Sequence, residues 1–365
     1  MVKTVADKRN YGIDLLRIVS MFMVVILHIL GCGGILGAEG SSFSLQAAAW
    51  LLEIMCFCAV NCYAMISGYV GIDSKFRISN LLQLWLQGLF YTVLITLLFA
   101  IFAPQYLGDN DWVNALLPVT TGQYWYLTAY IPLYLLSPVI NAGLKSVSAR
   151  MLGCIVVVSS LLMIVMPTII LKDPYAFKSG YSFVWLLYMY IVGGCIRKCG
   201  VLEKLTTGKA LCCYAATILL TWAPNLMVDI IRYSDRIVSF SFDSIKYTIP
   251  TVFLAAFSLF VVFARLDIGE TGAKIIKKLS PLVFGVYLIH THPLIFRIVL
   301  GGAFVGYAEL DIHFMLLSVL GTAVGIYAVC MLLEKCRQLL FRLTRINKLI
   351  ALIDDKFNRY LDASE

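Results

Sequence analysis

The chain has 365 residues, of which 61% are hydrophobic and 14% are charged. Soluble domains average roughly 45–50% apolar and about 25% charged residues, so this composition excludes an ordinary soluble enzyme. The formal charge of +8 would suit a nucleic-acid partner, but the charge is concentrated in loops between long apolar blocks, which indicates a membrane protein instead.

Ten apolar blocks follow one another along the chain, and we interpret each as a membrane-spanning helix. They cover residues 14–36, 47–70, 81–103, 124–143, 151–171, 182–197, 210–228, 247–264, 281–300 and 312–334. The predicted fold class is therefore an all-α membrane protein with about ten transmembrane helices. Since no internal repeat or linker is evident, we expect one transmembrane domain over residues 1–335 and a tail over 336–365.

Basic residues are distributed unequally between the loops on the two sides of these blocks. Loops on the side of the N-terminus contain 22 Lys and Arg residues, whereas the opposite loops contain five. Because cytoplasmic loops carry the excess of positive charge, both termini are predicted to be cytoplasmic and the protein to be a multi-pass protein of the plasma membrane. The tail alternates apolar and basic residues, as an amphipathic helix on the inner leaflet would. The outer loops are acidic, which argues against a nucleic-acid partner.

Titratable side chains inside the blocks are costly in hydrocarbon and mark candidate functional sites. In the first block, Arg17 and His28 lie 11 residues apart, which places them on one helix face about 16 Å apart. Asp14 precedes Arg17 by three residues and is positioned to pair with it. The structural alternatives are a snorkelling Arg17 at a helix end and an interhelical hydrogen bond for His28.

Glu53, in the second block, is predicted to lie at a depth similar to that of His28. A buried carboxylate beside an imidazole can fix the tautomer of the ring and raise its basicity, as general-base catalysis requires. His28 and Glu53 are therefore the candidate catalytic residues, on the hypothesis that the first two helices are neighbours.

Further candidates are expected to contact the substrate. His290 lies near mid-membrane in the ninth block, and His292, two residues later, faces away from it; a satisfied core histidine is the structural alternative for His290. Tyr124 and Trp125 begin the fourth block, where they form part of an interfacial aromatic belt or contact the faces of a sugar. The 11 cysteines lie within or at the ends of apolar blocks, and no histidine lies near Cys195 and Cys199 or near Cys212 and Cys213, so no metal site is predicted.

These residues resemble the motifs of a known family. The stretch Tyr11–Arg17, followed by His28, resembles the Arg, ten residues, His signature of the integral-membrane acyltransferase 3 family. Supporting stretches, in chain order, are Met65–Tyr69, Tyr124–Leu127, Leu135–Pro138 and Phe284–His290. The chain most resembles the short members of this family, which lack an appended outer esterase domain.

The resemblance implies transfer of an acetyl or other short acyl group from a cytoplasmic acyl-CoA to a hydroxyl of a cell-surface or lipid-linked saccharide. No cofactor would be bound permanently, and acetyl-CoA is the expected donor. His28 would act as the base, while Arg17, Lys75 and Arg77 are candidates to hold the donor's phosphates. Many relatives carry an Arg pair after the second helix, where this chain has Lys75 and Arg77.

Transport of a small metabolite, such as an amino acid, is the alternative function. Relatives include the membrane domain of vancomycin-resistance serine racemases, which is thought to move an amino acid. A polar track through ten helices would suit a carrier, but the sequence shows no inverted repeat and no pair of broken helices, which weighs against transport.

The charge distribution makes a testable prediction about topology. A tag in the loop at Gly108 should be labelled from outside intact cells, and a tag at the C-terminus should be labelled only after the cells are permeabilised, because the basic loops remain in the cytoplasm. A C-terminal tag that labels in intact cells would contradict the assignment.

Overall fold

The computed structural model describes residues 9–234 and 245–362, and these residues form helices without strands. Lys3, Lys8 and Arg236, which contribute to the predicted charge distribution, lie outside the described residues. The α-helices in chain order are α1 (Tyr11–Leu30), α2 (Phe43–Phe57), α3 (Ala59–Gly71), α4 (Ile78–Phe102), α5 (Asp111–Leu116), α6 (Trp125–Ser146), α7 (Ala149–Ser160), α8 (Met166–Ile170), α9 (Phe183–Lys198), α10 (Val201–Lys204), α11 (Thr207–Ser234), α12 (Pro250–Ala264), α13 (Glu270–Leu279), α14 (Val283–His290), α15 (Ile312–Leu343) and α16 (Ile346–Asp362). Two π-helical segments, Leu161–Val165 and Ile295–Leu300, continue α7 and follow α14 respectively.

The all-α membrane fold predicted from the sequence is confirmed in its class. Among the described residues, six helical segments are long and apolar enough to cross a membrane, and a seventh results if the pair Glu270–His290 and Ile295–Glu309, bent by 75°, forms one span. The ten predicted blocks all contain helix, but α9 and α12 have only 16 and 15 residues. The count of ten spans therefore stays a prediction.

Helix α1 occupies the centre of the bundle, where it packs against α2, α3, α12, α14 and α15. In the most apolar 18-residue stretch of α1, 67% of the residues are buried inside the protein. In the corresponding stretch of Ala149–Ile170, only 6% are buried. The side chain of Asn10 caps α1 by accepting a hydrogen bond from the Ile13 amide, and it also donates to the Ala264 carbonyl. The residues of α1 are thus surrounded by protein along most of the helix, which suits a helix that carries functional side chains.

Helices α3 and α9 cross at unusually short range because glycines face each other's backbone. A Cβ atom on Gly68 would lie 1.8 Å from the Tyr190 carbonyl oxygen, and one on Gly193 would lie 2.0 Å from the Met65 carbonyl oxygen. Small residues at such crossings let transmembrane helices approach closely without a hydrophobic driving force. This contact fixes α3, and with it the side chains of α3 that face α1.

The basic loops gather at one end of the bundle. At this end the side-chain amide of Asn10 donates to the Ala264 carbonyl, and the backbone amide of Ser79, in the first turn of α4, donates to the Asp354 carboxylate of α16. Asn10 also lines a cleft together with Ser74 of the loop that precedes α4. The first described residues and α16 therefore lie at the same end of the bundle. Which side of the membrane this end faces stays a prediction.

A saturated carboxylate, which the sequence interpretation overlooked, ties α4 to α15. Glu334 is fully buried, and its oxygens accept hydrogen bonds from Gln87 (3.0 Å), Tyr91 (2.8 Å), Gln338 (3.0 Å) and, through two nitrogens at 3.0 and 2.6 Å, from Arg337. Paired and hydrogen-bonded in this way, the buried charge is compensated. The side chain also packs against Gly285 of α14, where a Cβ atom would lie 2.4 Å from a Glu334 oxygen.

Because Glu334 is held by this network, Glu334→Ala should destabilise the protein strongly. The substitution leaves the Arg337 guanidinium without its partner in the interior, and breaking a buried pair in this way costs roughly 3–5 kcal/mol. Thermal unfolding of the purified protein in detergent should show a markedly lower midpoint for Glu334→Ala than for Glu309→Ala, which truncates an exposed carboxylate. Equal midpoints for the two variants would show that the network contributes nothing to stability.

Candidate active site

Two histidines from distant parts of the chain meet at the centre of the bundle. His28 lies in the last turn of α1 and His290 is the last residue of α14. The Nδ1 atom of His28 lies 3.0 Å from the Nε2 atom of His290, and the two ring centroids are 5.1 Å apart. The edge-on ring of Phe296, with its centroid at 4.9 Å, packs against the His28 imidazole. His28 is thus held by a hydrogen bond on one side and an aromatic contact on another.

The hydrogen-bond pattern determines which nitrogen of each neutral ring carries the proton. The Nδ1 atom of His290 lies 2.6 Å from the Val286 carbonyl oxygen, and a carbonyl only accepts, so His290 Nδ1 must donate. The Nε2 atom of neutral His290 is then an acceptor, so His28 Nδ1 must donate to it. The remaining nitrogen of His28, Nε2, therefore has an unprotonated lone pair.

His28 lines a cavity of about 420 Å³, which we call the His28 cavity. The cavity reaches Gly31 and Thr291, the residues that cap the C-terminal ends of α1 and α14, and Gln123, which precedes α6. It is lined mostly by aromatic and aliphatic side chains, an arrangement typical of sites that bind small molecules through a few polar groups. Access to His28 is therefore from the end of the bundle opposite to the basic loops.

Glu53 lines the same cavity but does not contact His28 by a hydrogen bond among the described residues. Its Oε2 atom is buried and has no hydrogen-bond partner in the described structure. The structure thus brings His28 and Glu53 to one cavity, and it places His290, not Glu53, against His28 Nδ1. The proposed role of Glu53 in catalysis stays a prediction, while the residue that sets the tautomer is His290.

His292 has surroundings different from those of His290, as the spacing of the two residues predicts. Its Nδ1 atom accepts a hydrogen bond of 3.2 Å from the Leu294 amide, and its ring lies beside that of Tyr124, with centroids 6.3 Å apart. His292 is buried but does not line the His28 cavity.

The aromatic residues before and at the start of α6 form part of the cavity wall. Tyr124 is 1% exposed and donates a hydrogen bond of 2.8 Å to the Leu288 carbonyl, so an interfacial belt does not account for it. Trp125 also lines the cavity, and its ring lies roughly parallel to Tyr247, which in turn stacks on Phe57 with centroids 4.7 Å apart. A row of aromatic rings and Glu53 thus line the same cavity.

Arg17 lies about three turns before His28 on α1 and lines a different cavity, of about 150 Å³, which we call the Arg17 cavity. Lys75 lines this cavity as well, whereas the side chain of Arg77 is exposed outside it. The backbone of Arg77 is fixed by Tyr134, whose hydroxyl bonds its amide and its carbonyl at 3.2 and 3.0 Å. Of the three predicted donor-binding residues, the structure brings Arg17 and Lys75 together.

The predicted pairing of Arg17 with Asp14 is confirmed, and Asp14 also has a second cation. Asp14 accepts from Arg17 at 3.0 Å and from Arg9 at 2.6 Å. Arg9, Arg17 and Arg197 line an adjoining cleft of about 490 Å³ at the basic end of the bundle. Arg9 and Arg197 were not identified from the sequence as part of this site. Cationic residues near helix ends occur throughout the chain, and only the folded structure shows that these two lie in the same cleft as Arg17.

No group of three or more His, Cys, Asp or Glu side chains in ranges 9–234 and 245–362 is arranged to hold a metal ion.

The long apolar helices define the class of the protein as a helical membrane protein, with a buried pair of histidines beside a cavity. A family model described as an acyltransferase domain, that of acyltransferase 3, matches residues 10–335. The chain belongs to the acyltransferase 3 family, which confirms the resemblance seen in the sequence motifs and makes the protein a membrane acyltransferase. No curated protein and no solved structure matches the chain significantly.

The proton positions can be observed directly because the chain has only four histidines. In the ¹⁵N spectrum of histidine-labelled protein near pH 8, the rings of His28 and His290 should both carry their proton on Nδ1. The reason is that His290 Nδ1 donates to the Val286 carbonyl and His28 Nδ1 donates to His290 Nε2. The remaining signals are assigned with the His292→Gln and His313→Gln variants. A His28 ring protonated on Nε2 would contradict the proposed chain of hydrogen bonds.

Proposed function

We propose that this protein transfers an acetyl or other short acyl group from a cytoplasmic acyl-CoA to a hydroxyl of a cell-surface or lipid-linked saccharide, with His28 as general base. The observation that carries this proposal is the hydrogen-bond chain from the Val286 carbonyl through His290 to His28, which leaves His28 Nε2 unprotonated beside a cavity. A general base needs an unprotonated lone pair and a fixed ring orientation. The hydrogen bonds from Val286 through His290 to His28 provide both.

The chemistry requires little beyond positioning and proton transfer, since a thioester already carries a good leaving group. His28 Nε2 takes the proton of the acceptor hydroxyl as the oxygen attacks the thioester carbonyl carbon. The tetrahedral intermediate then collapses, the C–S bond breaks, and the thiolate receives the proton from His28. His290 accepts from His28 Nδ1 throughout and stabilises the imidazolium that forms between the two steps. His290 is thus a positioning residue in this proposal.

The donor would bind from the basic end of the bundle. Its phosphates would lie near Arg17 and Lys75 in the Arg17 cavity and near Arg9 in the adjoining cleft, because guanidinium and ammonium groups suit phosphate oxygens. Arg77 lies on the loop beside these residues and contacts the donor only if its exposed side chain turns inward. We further propose that this end is cytoplasmic, that the protein lies in the plasma membrane and that α16 rests on the inner leaflet.

The acceptor would bind in the His28 cavity from the opposite end. The aromatic rings of Trp125, Tyr247 and Phe57 line this cavity and would offer apolar surface to the C–H groups of a sugar, and the unpartnered oxygen of Glu53 would accept a hydrogen bond from a sugar hydroxyl. Glu53 would then orient the acceptor in addition to any part in proton transfer. Flat rings beside a hydrogen-bond acceptor favour a polyhydroxylated ligand over a purely apolar one.

The proposal is tested by alkali-labile acyl esters on surface saccharides of cells that produce the protein. His28→Ala should reduce these esters by about 10² to 10⁴ in initial rate, because removal of a positioned base typically has that effect. Immunoblotting of membranes should show equal amounts of variant and unaltered protein. His313→Ala, which changes an exposed histidine at the start of α15, is the matched control and should leave the esters unchanged. Near-normal esterification by His28→Ala would eliminate His28 as the base.

A further inference from the structure

The His28 cavity and the Arg17 cavity approach each other on three helices without sharing a lining residue. On each of these helices, the last residue of one cavity and the first of the other are four positions apart. The pairs are Met21 and Arg17 on α1, Tyr63 and Ser67 on α3, and Tyr126 and Tyr130 on α6. Four helical residues rise about 6 Å. A partition one helical turn thick therefore separates the two cavities.

Two tyrosines form this partition. The Tyr63 hydroxyl donates a hydrogen bond of 2.6 Å to the Arg17 carbonyl, which connects α3 to α1 across the gap. The ring of Tyr126 meets that of Tyr63 edge-on, with centroids 6.3 Å apart, and stacks on Tyr130 on the other side, with centroids 6.0 Å apart. Side chains, not backbone, thus block the path between the cavities, and side chains can rotate.

The Tyr126 hydroxyl is buried and has no hydrogen-bond partner among the described residues. A buried donor without a partner is costly, and native structures usually explain it by a ligand, an ion or a function. At this position the missing partner would be a hydrogen-bond acceptor that lies between Arg17 and His28. The carbonyl oxygens of a slender, amide-containing thioester chain have this property, and the distance of about 16 Å between Arg17 and His28 requires an extended one.

We propose that the partition is the binding site for the thioester arm of the donor, which passes between Tyr63 and Tyr126 and accepts a hydrogen bond from the Tyr126 hydroxyl. This inference rests on the proposed function, since a donor held by its phosphates at Arg17 reaches His28 only through this turn of three helices. Closed as in this structure, the partition keeps water and acceptor molecules of the His28 cavity away from the Arg17 cavity. The arm itself would open it.

The test compares two donors with the same thioester in detergent solution: acetyl-CoA and S-ethyl thioacetate, which has no arm. S-ethyl thioacetate is small enough to enter the His28 cavity through its own mouth, beside Gly31 and Thr291. Ser67→Trp places an indole in the Arg17 cavity at the foot of the partition. Relative to the unaltered protein, the ratio of kcat/KM for acetyl-CoA to kcat/KM for S-ethyl thioacetate should fall by about tenfold or more.

Val139→Trp is the matched control, because it adds the same ring to a position of α6 that is 73% exposed. Its ratio should equal that of the unaltered protein. Tyr126→Phe keeps the ring and the fold and removes only the hydroxyl, so it serves if Ser67→Trp does not accumulate. Because Tyr126→Phe loses one hydrogen bond to the donor, its ratio of kcat/KM for acetyl-CoA to kcat/KM for S-ethyl thioacetate should fall about fivefold. The change should come mainly from a higher KM for acetyl-CoA.

An unchanged ratio in Ser67→Trp and Tyr126→Phe, or an equal loss with both donors, would overturn the proposed passage. Failure of the proposed function gives a different result: the unaltered protein would then show no His28-dependent transfer from either donor.

Discussion

The hydrogen bond between His28 and His290 is the contact on which the site depends. It joins the central helix α1 to the last residue of α14, and it leaves an unprotonated nitrogen on His28, a residue that lines the aromatic-walled His28 cavity. Because Val286 fixes the proton of His290, the arrangement needs no carboxylate to orient the base. Inside the bilayer, a neutral chain of this kind avoids the cost of an additional buried charge.

The rest of the fold keeps these two rings in place. The glycine crossing of α3 and α9 fixes one wall of the bundle around α1, and the Glu334 network fixes α15 and α4 around α14. The two cavities lie at different depths along α1: Arg17 lines one of them and His28 lines the other. A donor with anionic phosphates and an acceptor with hydroxyl groups can thereby approach one base from opposite ends of the same helix.

Local patterns in the sequence predicted much of this arrangement. Apolar blocks predicted the helices, the spacing of Asp14 and Arg17 predicted their ion pair, and the two-residue offset of His290 and His292 predicted that they face different surroundings. The pairing of His28 with His290 could not be predicted, because 262 residues separate them and only packing decides which helices meet. For the same reason Glu53 was expected beside His28, and the cations Arg9 and Arg197 and the tyrosine partition went unrecognised.

The most direct test of the account uses sealed proteoliposomes that contain the purified protein in one known orientation, with ¹⁴C-acetyl-CoA trapped inside and a saccharide acceptor outside. The account predicts that labelled ester appears on the outer acceptor while an equal amount of free CoA thiol accumulates inside, and that neither occurs with His28→Ala. Ester formed only on acceptor trapped inside, or movement of acceptor across the membrane without ester formation, would contradict transfer of the acyl group through the two cavities.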